Sequence, residues 1–273
     1  MTTEKTEREI MVSGIWKNML VAGENPTEKR NRKLFKLLPG KTKCKWCKVP
    51  FDGPAAPVVK LVFGKQPGEL NPKFCNACET FAREYQGGAE VEMSMLFADI
   101  RGSTTLAEGM SPSTFSQLID RFYQATTQVL TQTDAIIDKL SGDEVAGFYV
   151  PGLAGGNFPL RAIQAAQDML RATGHQNPSG PWVPVGIGIH TGVAFCGAVG
   201  TSKNVVDITA LGDSVNIAAR IASKAGVGEV LVSQYTLESA KLELPQLETR
   251  LLELKGKSEK IAVYVLKADT KIT

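Results

Sequence analysis

Between Val91 and Leu266 the spacing of apolar residues keeps switching between a period of two and one near 3.6. The stretch "VEMSMLFADI" reads as a strand, and a helix follows it, capped by Ser111 with Pro112 at its first position. Phe115, Leu118, Ile119, Phe122, Val129 and Leu130 fall on one face of that helix. "AIIDKL" and "VAGFYV" read as two strands around the tip Ser141-Gly142-Asp143-Glu144. A second helix is predicted over Leu160 to Ala172. Two strands then follow, "PVGIGIHTG" and "VAFCGAVG", and after a turn the helix "SVNIAARIASKAG". The strand "GEVLVS", a short helix and a closing hairpin "RLLELKGKSEKIAVYVL" complete the pattern.

Upstream the rhythm differs. Ile10, Ile15, Trp16, Met19 and Leu20 make a short amphipathic pattern, and the charged stretch "TEKRNRKLFKLL" comes after it. From Pro39 to Cys78 the chain is dense in Pro, Gly, Lys and Cys, turn chemistry without helix periodicity. Three parts are expected: a basic, partly helical segment 1–40, a four-cysteine segment 41–86, and a main domain 90–268. In the main domain the order strand-helix-strand-strand-helix-strand is the split βαβ pattern of a ferredoxin-like sheet, so the predicted class is α+β. That class names no function.

Composition narrows this little. Hydrophobic residues at 43% and charged ones at 22% are ordinary for a globular chain. No apolar run of about 18 residues predicts a transmembrane helix. The stretch "IMVSGIWKNMLVAG" is broken by Lys17 and Asn18 and makes a poor signal peptide, so a cytoplasmic chain is expected. The net charge of +3 hides an asymmetry: Met1 to Lys48 holds 12 Lys and Arg against five acids, a net of +7, and the remainder is at −4. Such a flank suits nucleic acid, anionic membrane or an acidic partner, or is simply solvated.

Two carboxylates carry the chemistry. Asp99 ends a buried strand and Asp143 sits on a hairpin tip, and in a split βαβ sheet those two places are neighbours. Paired carboxylates sharing two divalent ions suit phosphoryl transfer, and Mg²⁺ takes its remaining ligands from phosphate and water. Each aspartate is otherwise an ordinary turn residue. The turn after Asp99 brings Gly102, Ser103, Thr104 and Thr105, whose amides and hydroxyls suit a phosphate. Asn216 and Arg220 lie four apart and share a helix face.

Cys44-Lys45-Trp46-Cys47 and Cys75-Asn76-Ala77-Cys78 are two C-x₂-C pairs with 27 residues between them. Four thiolates so spaced predict a tetrahedral site, most simply structural Zn²⁺, with iron or a thiol–disulfide switch as rivals. Lys41, Lys43, Lys45 and Lys48 would offset its charge. Cys196 reads as a core residue, and His175 and His190 as structural or exposed.

The motifs now become specific. "SGDEV" resembles the "GGDEF" of diguanylate cyclases, differing at its first and last residues, yet "DIRGSTTL" lacks the further Asp and the Phe-Lys of that family. "LFADIRGSTTL", "DKLSGDEVAGFY", "TALGDSVNIAAR" and "KGKSEKIAVY" resemble, in order, the two metal motifs, the catalytic helix and the closing hairpin of class III adenylate and guanylate cyclases. The resemblance covers about Glu90 to Lys267. It implies that Asp99, Asp143 and the Ile100 carbonyl hold two Mg²⁺ or Mn²⁺ ions, that Asn216 orients the ribose, and that Arg220 stabilises the transferring phosphate. Lys257, or else Lys255, would reach the terminal phosphates.

Base recognition would fall to Lys139, four residues before Asp143, and Thr209, seven before Asn216. A donor and an acceptor match adenine, so the resemblance points to ATP and to the lysine–threonine bacterial subclass. Asp207, two residues before Thr209, would reach the same place only through a bulge. The family also implies a head-to-tail homodimer with sites shared between chains. The alternatives are a cyclase of GTP or of a pyrimidine nucleotide, or a dormant cyclase used as a zinc-ribbon binding or sensing module. The last has thin aromatic support, with only Trp46 and Phe51 near the cysteines.

Overall fold

The computed structural model describes residues 6–200, 206–254, 256 and 259–272. They fall into two compact units. The first is Met1–Val91 with Pro151–Leu153 and Ala194–Leu211; the second is Glu92–Val150, Ala154–Val193 and Gly212–Thr273.

The first unit opens with helix α1 (Glu7–Lys17), where Thr6 and Glu9 form a reciprocal capping box. A π-helical turn, Asn18–Ala22, continues it. Its inward face is Val12, Trp16 and Leu20, spaced four apart, whereas Ile10, predicted to belong to that face, is exposed. Helix α2 (Pro26–Leu37) starts with Asn25 accepting the Glu28 amide at 3.0 Å and with proline at its first turn.

The four-cysteine segment, expected from Pro39 to Cys78 to be turns without helix periodicity, contains α3 (Ala55–Phe63) and the start of α4 (Asn76–Glu84). Tertiary contacts decide both. Val59 is buried and Phe63 meets Phe35 edge-on at 5.0 Å, while Phe81 of α4 lies 5.4 Å from Trp16. Gly64, at φ +63°, ends α3 in the left-handed conformation that glycine adopts without strain.

Strand β1 (Gly87–Ile100) begins here and runs on into the second unit. There α5 (Ser103–Glu108) and α6 (Pro112–Gln132) follow it, then the hairpin β2 (Ile136–Ser141) and β3 (Glu144–Tyr149). After the short α7 (Pro151–Ala154) and α8 (Phe158–Ala172) comes β4 (Val185–Gly200). It is one strand where two were predicted. The polar "HTG" that suggests a break is accommodated: Thr191 bonds Ser94 at 2.7 Å and His190 bonds Ser233 at 2.9 Å. The end of β4, Ala194–Gly200, pairs in the first unit with β5 (Val206–Leu211). Helix α9 (Asp213–Lys224), β6 (Val230–Ser233), α10 (Gln234–Ser239), β7 (Thr249–Leu252) and β8 (Ile261–Leu266) complete the second unit.

The sheet order is β2-β3-β1-β4-β6-β8-β7. Its first four strands are the split βαβ arrangement, with β1 and β3 antiparallel. Leu96, Phe122, Leu130, Ile163, Met169 and Ile187 fill the core beneath α6 and α8. On α9, Ile217 and Ile221, with Ala225 just past its end, pack with Leu231 and Val263. Gly188 of β4 lets α9 approach closely, because a Cβ there would fall on the backbone of Ala222.

Candidate functional site

Backbone pairing brings the two aspartates together. Asp99 faces Glu144 across the β1–β3 ladder, and the Ile100 amide donates to the Asp143 carbonyl at 3.1 Å. Asp143 follows Gly142 in a two-residue turn closed by the Ser141–Glu144 pair. Gly142 takes φ +63°, a conformation natural to glycine at the first position of such a hairpin. The Tyr123 hydroxyl donates to the Gly142 carbonyl at 2.7 Å and anchors the tip to α6. Burial pushes the Asp99 carboxyl above its ordinary range; the Arg101 guanidinium pulls against this, and the neighbouring Asp143 carboxylate pushes with it. Two facing carboxylates, one half-buried, with the Ile100 carbonyl between them in sequence, are a donor set suited to Mg²⁺ or Mn²⁺.

Arg101 was not anticipated from the sequence. It ion-pairs with Asp99, and its Nη1 donates to the Ser223 carbonyl at 3.2 Å, near the end of α9. Its adjacency to the aspartate in "DIRG" is the local clue; its bond to Ser223 joins residues 122 apart. Gly102 (φ +67°) caps α5 and, having no side chain, leaves that helix without a side-chain cap. Gly102 and Thr104 are exposed and Ser103 is half-exposed.

Asn216 and Arg220 lie on the side of α9 away from Ile217, Ala218, Ile221 and Ala222, with Asn216 exposed and Arg220 half-exposed. The Arg220 guanidinium lies beside Gly256, where an added Cβ would sit 3.9 Å from Nη1. The closing turn therefore meets the helix that carries the arginine. Lys255 and Lys257, the candidates for phosphate in that turn, lie outside the described residues.

Lys139 pairs with Ala146 just after a bulge in β2, the register jumping from Ile137 to Lys139. Thr209 pairs with Gly197 on β5 in the first unit. The β4–β5 register is unbroken from Val206 to Leu211, so no bulge moves Asp207 to the place of Thr209. Instead Asp207 holds Lys45 at 2.8 Å.

The four cysteines converge. Their sulfurs all lie within 4.8 Å of one another, and Cys47 and Cys75 are 3.6 Å apart. A tetrahedral ion bonded to sulfur at about 2.3 Å holds its sulfurs about 3.8 Å apart, so the cluster fits such an ion. Hydrogen bonds from the other three cysteines, together with burial, raise the Cys78 thiol well above its usual range. The lysines near the cluster also make bonds of their own. Lys43 caps α2 through the Phe35, Lys36 and Leu38 carbonyls at 2.8–3.1 Å. Lys45 binds Asp207, and Lys48 donates to the Lys45 carbonyl at 3.0 Å. Lys65, not anticipated, faces the cluster; burial lowers its pKa, but the charges of Cys47, Cys75, Cys78 and Cys44 outweigh that and raise it. Trp46 is buried edge-on to Trp16, at 6.0 Å, and presents no face for base stacking. Cys196 is a buried strand residue, and His175 is a structural one bonded to Thr173 and the Val185 amide.

The sheet order and the adjacent carboxylates define a mixed α+β cyclase fold with a four-cysteine cluster N-terminal to it. The chain belongs to the adenylate and guanylate cyclase catalytic domain family, whose model matches residues 88–268. It is 30% identical over 180 residues to the terminal-differentiation-specific adenylate cyclase of Dictyostelium discoideum, covering 63% of this chain and 8% of that protein. It is 29% identical over 189 residues to an adenylate cyclase of Anabaena cylindrica, covering 64% of this chain and 37% of the relative. The chain thus spans well under half the length of these relatives.

Among solved structures, it resembles the adenylyl cyclase CyaB from P. aeruginosa (25% identity, TM-score 0.57, 67% of this chain and 96% of that one). The guanylyl cyclase Cya2 shares the fold (24% identity, TM-score 0.60, 66% and 93%). No helix among the described residues is long and apolar enough to cross a membrane.

Proposed function

We propose that this chain is an adenylate cyclase, a lyase that converts ATP into cyclic AMP and pyrophosphate through residues 90–268. The observation that carries the reading is the meeting of Asp99 at the end of β1 with Asp143 at the β2–β3 tip. Two divalent ions held there, with the Ile100 carbonyl, would supply charge neutralisation of the triphosphate and a lowered pKa for the attacking hydroxyl.

The ribose 3′-oxygen attacks the α-phosphorus, loses its proton, and the bond to the bridging oxygen breaks as pyrophosphate leaves. Asn216 holds the ribose for that attack. Arg220, permanently charged and forked, stabilises the charge that builds on the phosphoryl oxygens. Gly102, Ser103 and Thr104 supply amides and hydroxyls to the phosphates, and Lys257 meets their far end. Lys139 donates to the adenine ring nitrogen and Thr209 accepts from its amine, the pairing of the lysine–threonine subclass. A site built for one base edge leaves its polar groups unpaired with the other. The adenylate cyclases among the relatives favour the same base. The working form is a head-to-tail homodimer, in which one chain gives the aspartates and its partner gives Lys139, Thr209, Asn216 and Arg220. The four cysteines hold one structural Zn²⁺ per chain.

The test is product formation with Mg²⁺ or Mn²⁺ from ATP, GTP, CTP and UTP separately, beside Asp143→Ala. Cyclic AMP from ATP alone, reduced at least about a hundredfold in the variant, is expected. A cyclic product from another base would overturn the base assignment. No product from a dimeric, metal-loaded protein would overturn catalysis.

A further inference from the structure

Strand β5 pairs with β4 on one side only among the described residues. Its residues alternate cleanly: Val206, Ile208 and Ala210 are buried, while Asp207, Thr209 and Leu211 share the opposite face. An edge strand leaves the carbonyls of alternate residues without ladder partners. Here the four-cysteine segment takes two of them. Asn71 Nδ2 donates to the Val206 carbonyl at 3.0 Å, and Lys45 Nζ donates to the Ile208 carbonyl at 2.8 Å. The same ammonium meets Asp207 Oδ1 at 2.8 Å.

Neither donor is free to wander. Lys45 stands between two of the clustered cysteines and is 6% exposed. Its amide donates to the Lys73 carbonyl at 2.8 Å, its carbonyl accepts from Lys48, and the neighbouring Cys44 amide donates to the Val49 carbonyl at 2.8 Å. The turn that aims the thiols therefore also aims the ammonium. Asn71 is held by the buried Glu79 carboxylate, which accepts the amides of Glu69, Leu70 and Asn71 at 2.6–3.0 Å.

We propose that Lys45 is a positioning residue for substrate recognition: by gripping Asp207 and the Ile208 carbonyl it fixes the edge strand that presents Thr209 to the nucleotide base. This rests on the reading of Thr209 as the base contact. The grip closes on the residues just before Thr209, one of them on its own face, so the hydroxyl moves with it. A misplacement of about 1 Å at a positioning group can cost about a hundredfold, and the loss should appear in binding of the base, because the reacting atoms lie at Asp99, Asp143 and Arg220. The four-cysteine segment thereby holds the strand that carries Thr209, through one lysine.

The test uses the full-length, metal-loaded chain with Lys45→Met, Asp207→Asn and the double variant. Lys45→Met is expected to raise KM for ATP about tenfold with kcat within about twofold, and Asp207→Asn to act in the same direction. The double variant should be no worse than Lys45→Met alone, because that substitution already removes the bond that Asp207→Asn weakens. Zinc content should stay at one per chain, and Lys45→Arg should recover part of the loss. Hydrogen exchange gives a readout without turnover: amides of β5 should exchange faster in Lys45→Met while those of β6 do not change.

If Lys45→Met does not fold, Asp207→Asn weakens the same contact from its more exposed side by removing the charge that Lys45 meets. Unchanged KM and unchanged β5 exchange would overturn the proposal, as would additive effects or a parallel loss of kcat and bound metal. Thr209→Ala separates the two readings. If it leaves KM and the ATP-to-GTP ratio untouched, the base role of Thr209 falls. If it alters them and Lys45→Met does not, positioning by Lys45 falls.

Discussion

The two compact units bury different things. In the second, the interior is apolar, and among the described residues its buried polar side chains are neutral: Ser94, Thr126, Thr173, Thr191, Ser233, Thr236, Gln167 and the Tyr149 hydroxyl. In the first, the buried set includes Arg32, Lys45, Lys48 and Glu79, all charged, beside the cysteine cluster. Charges rarely enter an interior unless paired. Area removed from water stabilises both regions, but the first adds directed bonds whose loss leaves a buried charge behind. Apolar burial tolerates substitution by degrees, whereas a directed bond depends on each partner being present.

Metal removal should break this contrast most sharply. Structural zinc contributes about 10–16 kcal/mol of apparent binding energy in small thiolate sites. Chelation, or Cys44→Ser, is expected to strip protection from amides of residues 41–86 while the amides of α6 and α8 stay protected, read by hydrogen exchange. Next in size is a cavity in the apolar unit: Phe122→Ala, at a fully buried position, should lower unfolding free energy by about 3–5 kcal/mol, measured by urea titration with zinc bound. Glu79→Gln should cost about 1–3 kcal/mol with no cavity, since it weakens acceptance of three amides, and its effect should appear in exchange of residues 69–71.

The smallest effect is one of pH. Burial lowers the His175 pKa, and the bond that its Nδ1–H donates to the Leu170 carbonyl opposes that; Nε2 accepts the Val185 amide at 3.3 Å, which requires that nitrogen to be unprotonated. As pH falls through the ordinary value near 6.5, the unfolded chain takes a proton that the folded one refuses. Stability present above that pH is therefore lost below it. The urea midpoint should drop between pH 7.5 and 5.5, and His175→Gln should flatten the slope.

Much of the second unit was legible because its signals are local. Ser111 and Pro112 mark the start of α6, and the apolar spacing of Phe122, Val129 and Leu130 gives its buried face. The tip Ser141 to Glu144 announces its hairpin. The first unit hid more. Helix α3, "AAPVVKLVF", has no polar face to set a helical period, and Val58, Leu61 and Val62 are exposed. The cysteine spacing predicted a cluster, yet the fate of the lysines did not follow from it. Lys45 and Asp207 are 162 residues apart, and Lys65 reaches the thiols from beyond α3. Local pattern reports which residues can form a site; such long-range partners are settled only by packing. At the carboxylates the motif named Asp99 and Asp143, while the tie from Arg101 to Ser223 needed the fold.

The packing of Trp16 has an optical consequence. It is fully buried, donates to the Tyr85 carbonyl at 2.8 Å, and meets Trp46, which stands between Cys44 and Cys47. Of the three tryptophans, only Trp182 belongs to the other unit, where the Arg121 guanidinium lies 4.0 Å above its ring. Indole emission from the unmodified chain is therefore weighted toward the cysteine segment. A blue-shifted spectrum that reddens on chelation would follow that segment in real time, with no label attached and with nucleotide turnover running in the same cuvette.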